Sequence, residues 1–180
     1  MPHVFEIAPT GRAKCRGCGR AIAKGDVRFG ERLPNPYGEG EMTLWFHPIC
    51  GALKRPEPLL EAVAEAAPAG IDAESLTSVA RGGLAHRRLP RVHGAERSPS
   101  GRARCRHCRE LIAKDEWRIS LVFYAEGRFE PSGHIHASCA HEYFETATGD
   151  VLERVRQFSE LTDADLHELD AVIRRGRATP

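Results

Sequence analysis

The chain has 180 residues and carries 26 Lys and Arg against 25 Asp and Glu, for a formal charge of +1. That length suits one ordinary domain or two small ones, and no apolar run approaches the roughly 20 residues needed to span a bilayer. The start, from Met1 to Thr10, lacks the charged and apolar regions of a secretion signal. The expectation is therefore a soluble intracellular protein whose six cysteines are not structural disulfides.

The charge is unevenly placed. Seven Lys or Arg and two acids lie between Gly11 and Arg32, whereas five acids and no base lie between Glu57 and Leu76. Nine acids face two bases between Glu142 and Asp170. A near-neutral total thus does not exclude an anionic partner, because local patches decide binding.

In chain order, the first feature is "GRAKCRGCGR" at Gly11, which returns as "GRARCRHCRE" at Gly101. Next come "DVRFGERL" and, in the second copy, "EWRISLVFY", both strand-like in their β-branched and aromatic content. Glycine-containing turns follow, "NPYGEGE" and "AEGRFEPSG", and then short strands, "TLWFH" and "GHIHA". A helix is expected to start near Cys50 and near Cys139, and "EPLLEAVAEAAPAG" reads as helical up to Pro68. Each copy ends in a capped helix. Asp72 caps the first, with Ile71 and Leu76 as a staple and Gly82 near its end. Thr162 caps the second, with Asp165 completing the box, Leu161 and Leu166 stapling it and Gly176 stopping it.

The copies match at an offset of 90, or 89 around the histidines, so the chain is a tandem repeat. The first module is expected at 1–85 and the second at 95–180. Residues 86–94, "HRRLPRVHG", are polar with a central proline and read as a linker.

All six cysteines fall into one pattern. The first copy is Cys-x2-Cys-x28-His-x2-Cys (Cys15, Cys18, His47, Cys50), and the second is Cys-x2-Cys-x27-His-x2-Cys (Cys105, Cys108, His136, Cys139). Three thiolates and an imidazole suit tetrahedral Zn²⁺ at a closed structural site, so two Zn²⁺ per chain are expected. A redox dithiol accounts for one Cys-x-x-Cys but not for the second pair or its duplication. Catalytic zinc keeps an open position; here all four are filled, which argues against a zinc enzyme. Register selects His136 over His134, which takes the place of Trp45 and is assigned to packing or solvent, and over His141. His107 replaces Gly17 and is expected to be exposed. Trp45, Phe46 and Ile135 are expected in the core. The fold class is then small α+β modules, each a short antiparallel sheet plus helices around a Cys3His zinc site.

Gly-Arg-Ala-x-Cys-x-x-Cys, an Ile-x-Lys-Gly-like turn, an x-Arg strand and Trp-Phe-His-x-x-Cys together resemble the poly(ADP-ribose) polymerase-type zinc finger. The resemblance covers about Phe5 to Arg81 and Glu96 to Arg175. The second copy departs in lacking the Trp and in having "KDE" for "KGD". The family's finger detects nicks and strand ends in DNA; it occurs as a tandem pair in the polymerase, and it occurs also in a eukaryotic DNA ligase. By resemblance, Arg12 and Arg102 grip the phosphate backbone, and Arg28 and Arg118 on the following strands also contact it. Two apolar side chains near the hairpin turn stack on exposed bases in the family; Tyr37 and Met42 are the candidates in the first copy and Phe129 in the second. Lys14, Arg16, Arg20, Arg104, Arg106 and Arg109 would add diffuse attraction.

No ADP-ribosyltransferase or ligase domain fits in the remaining residues. The expectation is a monomeric, non-enzymatic pair of fingers that binds nicked or damaged DNA and hands the lesion to a repair enzyme. It would be DNA-associated in the cell: in a bacterial cytoplasm or nucleoid, to which the Ala- and Arg-rich composition points, or in a nucleus in a eukaryote. Two other readings stand beside this one. The modules could be a zinc-stabilised protein-interaction adaptor whose acidic helices make the contact, or a redox or metal-storage protein with labile zinc.

Overall fold

The computed structural model describes residues 2–36 and 38–176. The chain divides into two units, Met1–Ala85 with Tyr124–Phe129, and His86–Phe123 with Glu130–Pro180. Each is a three-stranded sheet backed by helices. Among the described residues, no helix is long and apolar enough to cross a membrane.

In the first unit β1 (Val4–Ile7), β2 (Val27–Pro34) and β3 (Glu41–Phe46) form an antiparallel sheet in that order. Three helices follow: α1 (Pro48–Lys54), α2 (Pro56–Ala66) and α3 (Ala73–Ala85). The central strand β2 is buried over four consecutive residues, Arg28–Glu31, because both of its faces are covered. Phe29 packs its ring against Phe5 and Phe46, with centroids 5.6 and 5.9 Å away. On the other face Gly30 lies opposite Trp45, and a Cβ there would meet the indole at 2.6 Å. Only a residue without a side chain lets that ring lie flat on the strand.

Glu31 is 1% exposed, and its carboxylate accepts two bonds from the Arg55 Nε and a third from Nη2 at 2.5 Å. This ties the sheet to the α1–α2 corner. A carboxylate this deep needs such a partner, since an unpaired buried charge costs several kcal/mol, on the order of 3–5.

The second unit repeats the plan with β4 (Val92–Arg97), β5 (Trp117–Ala125) and β6 (Arg128–His136), followed by α4 (Ala140–Phe144), α5 (Thr148–Phe158) and α6 (Asp163–Arg175). Its core gathers Ile112, Trp117, Ile119, Ile135, Phe144, Val151, Val155, Leu169 and Ile173.

Both end caps form as the sequence implies. Ser75 N–H donates to Asp72 Oδ1 at 2.9 Å, and Thr162 with Asp165 closes a reciprocal capping box. Helix α6 stops at Gly176, whose φ is 64°. Helix α3 ends at Ala85, with Gly82 in its last turn.

Three expectations change. His86–Gly94 is not an open linker: Leu89–Arg91 is a 3-10 turn, β4 begins at Val92, and Leu89 and Val92 are buried in the second unit's core. The segment expected as one long turn, Ala125–Gly133, is mostly strand β6, with the turn confined to Glu126 and Gly127. The outer strands β1 and β4 and the helix α5 were not anticipated.

The packing at two glycines of the first unit predicts opposite signs for the same substitution. At Gly51 a Cβ would lie 2.6 Å from the Phe29 ring and 3.0 Å from Leu59, whereas at Gly82, inside α3, nothing lies within 4 Å. Gly51→Ala should destabilise the zinc-loaded first unit by about 1–3 kcal/mol through overpacking. Gly82→Ala should stabilise it by about 0.5–1 kcal/mol. Denaturant unfolding of the two variants at fixed zinc measures both.

Candidate metal centres and their flanking arginines

The two sites are built by the same local device. A tight turn carries the Cys-x-x-Cys pair: Cys15 N–H donates to the Arg20 carbonyl at 2.8 Å and Gly19 N–H returns to the Cys15 carbonyl at 2.8 Å. In the second unit Cys105 donates to Glu110 and Arg109 to Cys105, at 2.8 and 3.0 Å. The end of β3 or β6 delivers the histidine, and the first helical turn beyond it delivers the last cysteine.

The donors converge. In each group, Cys15–Cys18–His47–Cys50 and Cys105–Cys108–His136–Cys139, one ligand atom per residue lies within 4.8 Å of all the others. The His47 Nδ1 is 3.4 Å from Cys18 Sγ and 3.9 Å from Cys50 Sγ, and the His136 Nδ1 repeats both values with Cys108 and Cys139. A tetrahedral zinc, with Zn–S of about 2.3 Å and Zn–N of about 2.0 Å, sets neighbouring donors roughly 3.5–3.8 Å apart. The residues therefore fit two structural zinc ions.

The surroundings fix each imidazole for that role. His47 Nε2 faces the Ala21 carbonyl at 3.2 Å and His136 Nε2 faces the Leu111 carbonyl at 3.1 Å. An Nε2–H donating to a carbonyl leaves Nδ1 as the lone-pair donor, the usual outer support of a metal-bound histidine. The backbone N–H groups of His47 and His136 donate to Cys15 and Cys105 Sγ at 3.4 Å. Hydrogen bonding with Cys50, then with nearby backbone N–H groups, outweighs burial and pulls the Cys15 thiol down to about 4. Cys105 falls to about 3, chiefly through Cys139. Cys139 is pushed up, first by its bond with Cys105 and then by burial.

The competing histidines fall outside both clusters. His107 is exposed and bonds Glu142 at 2.9 Å. It takes the place of Gly17, where a Cβ would sit 3.0 Å from that of Cys50. His134 is half-buried, 3.7 Å from Glu96, and His141 is exposed. Phe46 and Ile135 are fully buried, and Trp45 is half-buried.

The arginines separate into two classes. Arg12 and Arg102 are exposed, and among the described residues neither guanidinium has a hydrogen bond or ion pair. Arg28 and Arg118 are each 8% exposed. Arg28 pairs with Glu6 and lies 3.6 Å over the Trp45 ring, while Arg118 donates twice to Glu96, at 3.1 and 2.7 Å. These ion pairs are not legible from residue patterns, because Glu6 and Glu96 stand on the unanticipated outer strands β1 and β4.

The stacking candidates are placed differently from each other. Tyr37 lies outside the described residues. Met42 is half-buried, its Cε where a Cβ on Gly127 would go. Phe129 is half-buried and packs its ring on Phe46 and Tyr124, so it is not a projecting face. The exposed large apolar side chains among the described residues are Ile7, Leu84, Leu111 and Phe123.

Cys15 and Cys50 are buried, and their site ties β3 and α1 to the Cys-x-x-Cys turn. Since a preformed site is lost on unfolding, metal affinity in so small a module is largely folding free energy. Cys18→Ser should unfold the first unit and leave most amide resonances of the second unit in place. Metal analysis should show the loss of one zinc equivalent.

Comparison with known proteins agrees with this geometry. Residues 6–72 match the family described as the poly(ADP-ribose) polymerase and DNA-ligase Zn-finger region. The chain is 28% identical over 143 residues to the poly(ADP-ribose) polymerase of Sarcophaga peregrina, which covers 69% of this chain and 14% of that protein. It is 28% identical over 156 residues to poly(ADP-ribose) polymerase 1 of Oryza sativa subsp. japonica, 79% of this chain and 15% of that protein. Against poly(ADP-ribose) polymerase 1 of Gallus gallus the figures are 37% over 49 residues, 27% and 5%. The chain thus spans about a seventh or less of these relatives. Residues 6–72 are a zinc finger of the poly(ADP-ribose) polymerase and DNA-ligase type, and the two Cys3His centres fit two such fingers in tandem.

Proposed function

We propose that this chain binds DNA at strand breaks, acting as a recognition module without catalysis of its own. The observation that carries the reading is the repeated pairing of a zinc turn with an exposed, unengaged arginine: Arg12 beside Cys15 and Arg102 beside Cys105. A guanidinium fork held on a rigid turn suits bidentate contact with phosphate oxygens. The family resemblance gives the same two positions the same role. Arg28 and Arg118 serve chiefly to hold β1 to β2 and β4 to β5, and a phosphate contact by either requires Glu6 or Glu96 to give way.

Among the described residues no helix has the character of a major-groove reader. The solvent-facing helices carry acids, and α1 and α4 follow directly on metal ligands. Backbone contacts alone hold intact duplex weakly when the net charge is only +1. A nick or end adds an exposed base face, on which an apolar side chain stacks for about 1–3 kcal/mol. Met42 remains the first unit's candidate among the described residues. In the second sequence copy Phe123, 47% exposed on β5 near the hairpin, is better placed than the packed Phe129. A repair enzyme as the downstream partner, a monomeric state and a DNA-associated location complete the proposal.

Arg12→Ala and Arg102→Ala should each weaken DNA binding uniformly across base sequences, since phosphate contacts carry no sequence information. Each should lower the salt slope by roughly one unit with the zinc content unchanged. A change in sequence preference would remove these residues from the assigned role. Break selectivity is tested by a nicked dumbbell and its sealed twin at one salt concentration. The nicked form should bind about 30- to 1000-fold tighter, taking one stacked base and one charged hydrogen bond together. Equal affinities would leave the adaptor reading in its place.

A further inference from the structure

We propose that Arg88, Arg91, Arg106 and Arg109 of the second unit form a separate binding site for a phosphate group of a DNA strand. This rests on the DNA-binding reading and adds to it a site outside the Gly-Arg-Ala motif. The four guanidiniums, with His107 and Tyr143, line a pocket of about 300 Å³. Two of them are aimed by one serine: Arg91 Nη2 donates to Ser132 Oγ at 2.6 Å, and Arg106 Nε donates to the Ser132 carbonyl at 3.1 Å. Arg91 is further held by a 3.4 Å bond from its Nε to the Val122 carbonyl. Arg88 donates from Nη1 to the Tyr143 carbonyl at 2.8 Å and lies 5.1 Å over that ring.

These bonds orient the side chains without using up their donors. Among the described residues nothing engages Arg91 Nη1, either terminal nitrogen of Arg106, or any side-chain nitrogen of Arg109. Two acids sit at the rim, Glu142 on His107 at 2.9 Å and Glu145 on Arg88 at 3.7 Å, which leaves four guanidiniums against two carboxylates and the lining cationic. Arg91, Arg106 and Arg109, which have no carboxylate partner among the described residues, repel one another unless an anion sits among them.

The backbone adds an independent sign. Arg109 has φ 70°, a conformation that favours glycine, and the matching residue of the first unit is Gly19 with φ 74°. The second unit thus places a long cationic side chain where glycine would be the unstrained choice, and Arg109 lines the pocket. Strain of this kind, once observed, points to function. The ligand class follows from the donors: several guanidinium forks converging on one point match the oxygens of a phosphate. DNA is favoured as its source because Arg106 and Arg109 flank the same cysteine turn as Arg102.

The test uses the full zinc-loaded chain and two variants, Arg109→Gly and Arg106→Gln. Arg109→Gly installs the first unit's own residue at a glycine-type φ, so it should not lower the unfolding midpoint. Each variant should bind a nicked dumbbell about 10- to 100-fold more weakly, the range of one or two charged hydrogen bonds, with zinc content intact. The nick is offered with a 5′-phosphate and with a 5′-hydroxyl. If the variants erase a wild-type preference for the 5′-phosphate, the site takes the terminal group; if they weaken both substrates alike, it takes a backbone phosphate. Both variants binding like wild type while Arg102→Ala weakens binding would overturn this site and leave the DNA reading standing. Wild-type protein that binds no DNA, or that binds a phosphopeptide instead, would overturn both.

Discussion

Three thiolates and one imidazole must meet at a point within bonding distance of one ion, and everything else in each unit is arranged around that demand. The donors come from a turn, a strand end and a helix start that are far apart in sequence. Units of this size hold only modest cores, so a bond network that joins these three elements sets the fold's connectivity. The turn geometry, the backbone N–H groups aimed at Cys15 and Cys105, and the carbonyls of Ala21 and Leu111 that orient the imidazoles are all consequences. Helices α1 and α4 then add buried side chains to the cores, Cys50, Ala52 and Leu53 in one unit and Ala140, Tyr143 and Phe144 in the other.

The same constraint sorts the arginines. A residue on the zinc turn, three positions before the first ligand, has its backbone fixed by the metal site and its side chain left in water; Arg12 and Arg102 are such residues. One on the central strand is buried by the neighbouring strands, and its charge then needs a carboxylate close by, which Glu6 and Glu96 supply. Identical side chains thus have opposite availability to an anion because of where the metal-organised fold puts them. The two units also diverge in a consistent way. Trp45 over Arg28 becomes His134 near Glu96 and Arg118, and the left-handed turn residues Gly19 and Gly25 become Arg109 and Asp115. The second copy's departures from the motif are therefore tolerated by the backbone, at the strain of two non-glycine residues with positive φ.

The ligand set and the capping residues were legible because each is a fixed spacing with one geometric meaning. Cys-x-x-Cys with a later His-x-x-Cys leaves few arrangements, and Thr162 with Asp165 satisfies a local hydrogen-bond rule. The outer strands were not legible. "VFEI" and "VHGAER" are short, partly charged and carry a glycine or an acid where a strand pattern would be apolar, and they are strands only because β2 and β5 offer them a paired edge. Missing those strands hid Glu6 and Glu96, and with them the burial of Arg28 and Arg118. Phe129 reads as an exposed aromatic at a turn, but its ring is taken up by Phe46 and Tyr124, contacts at a sequence distance no local pattern reveals.

Closed, four-ligand zinc sites organise each unit. X-ray absorption at the zinc edge on protein loaded to saturation tests this most directly. It should find two zinc ions per chain, each with three sulfur scatterers at about 2.3 Å and one nitrogen at about 2.0–2.1 Å, and no water in the first shell. One zinc per chain, fewer than three sulfurs, or an oxygen ligand from solvent would contradict it.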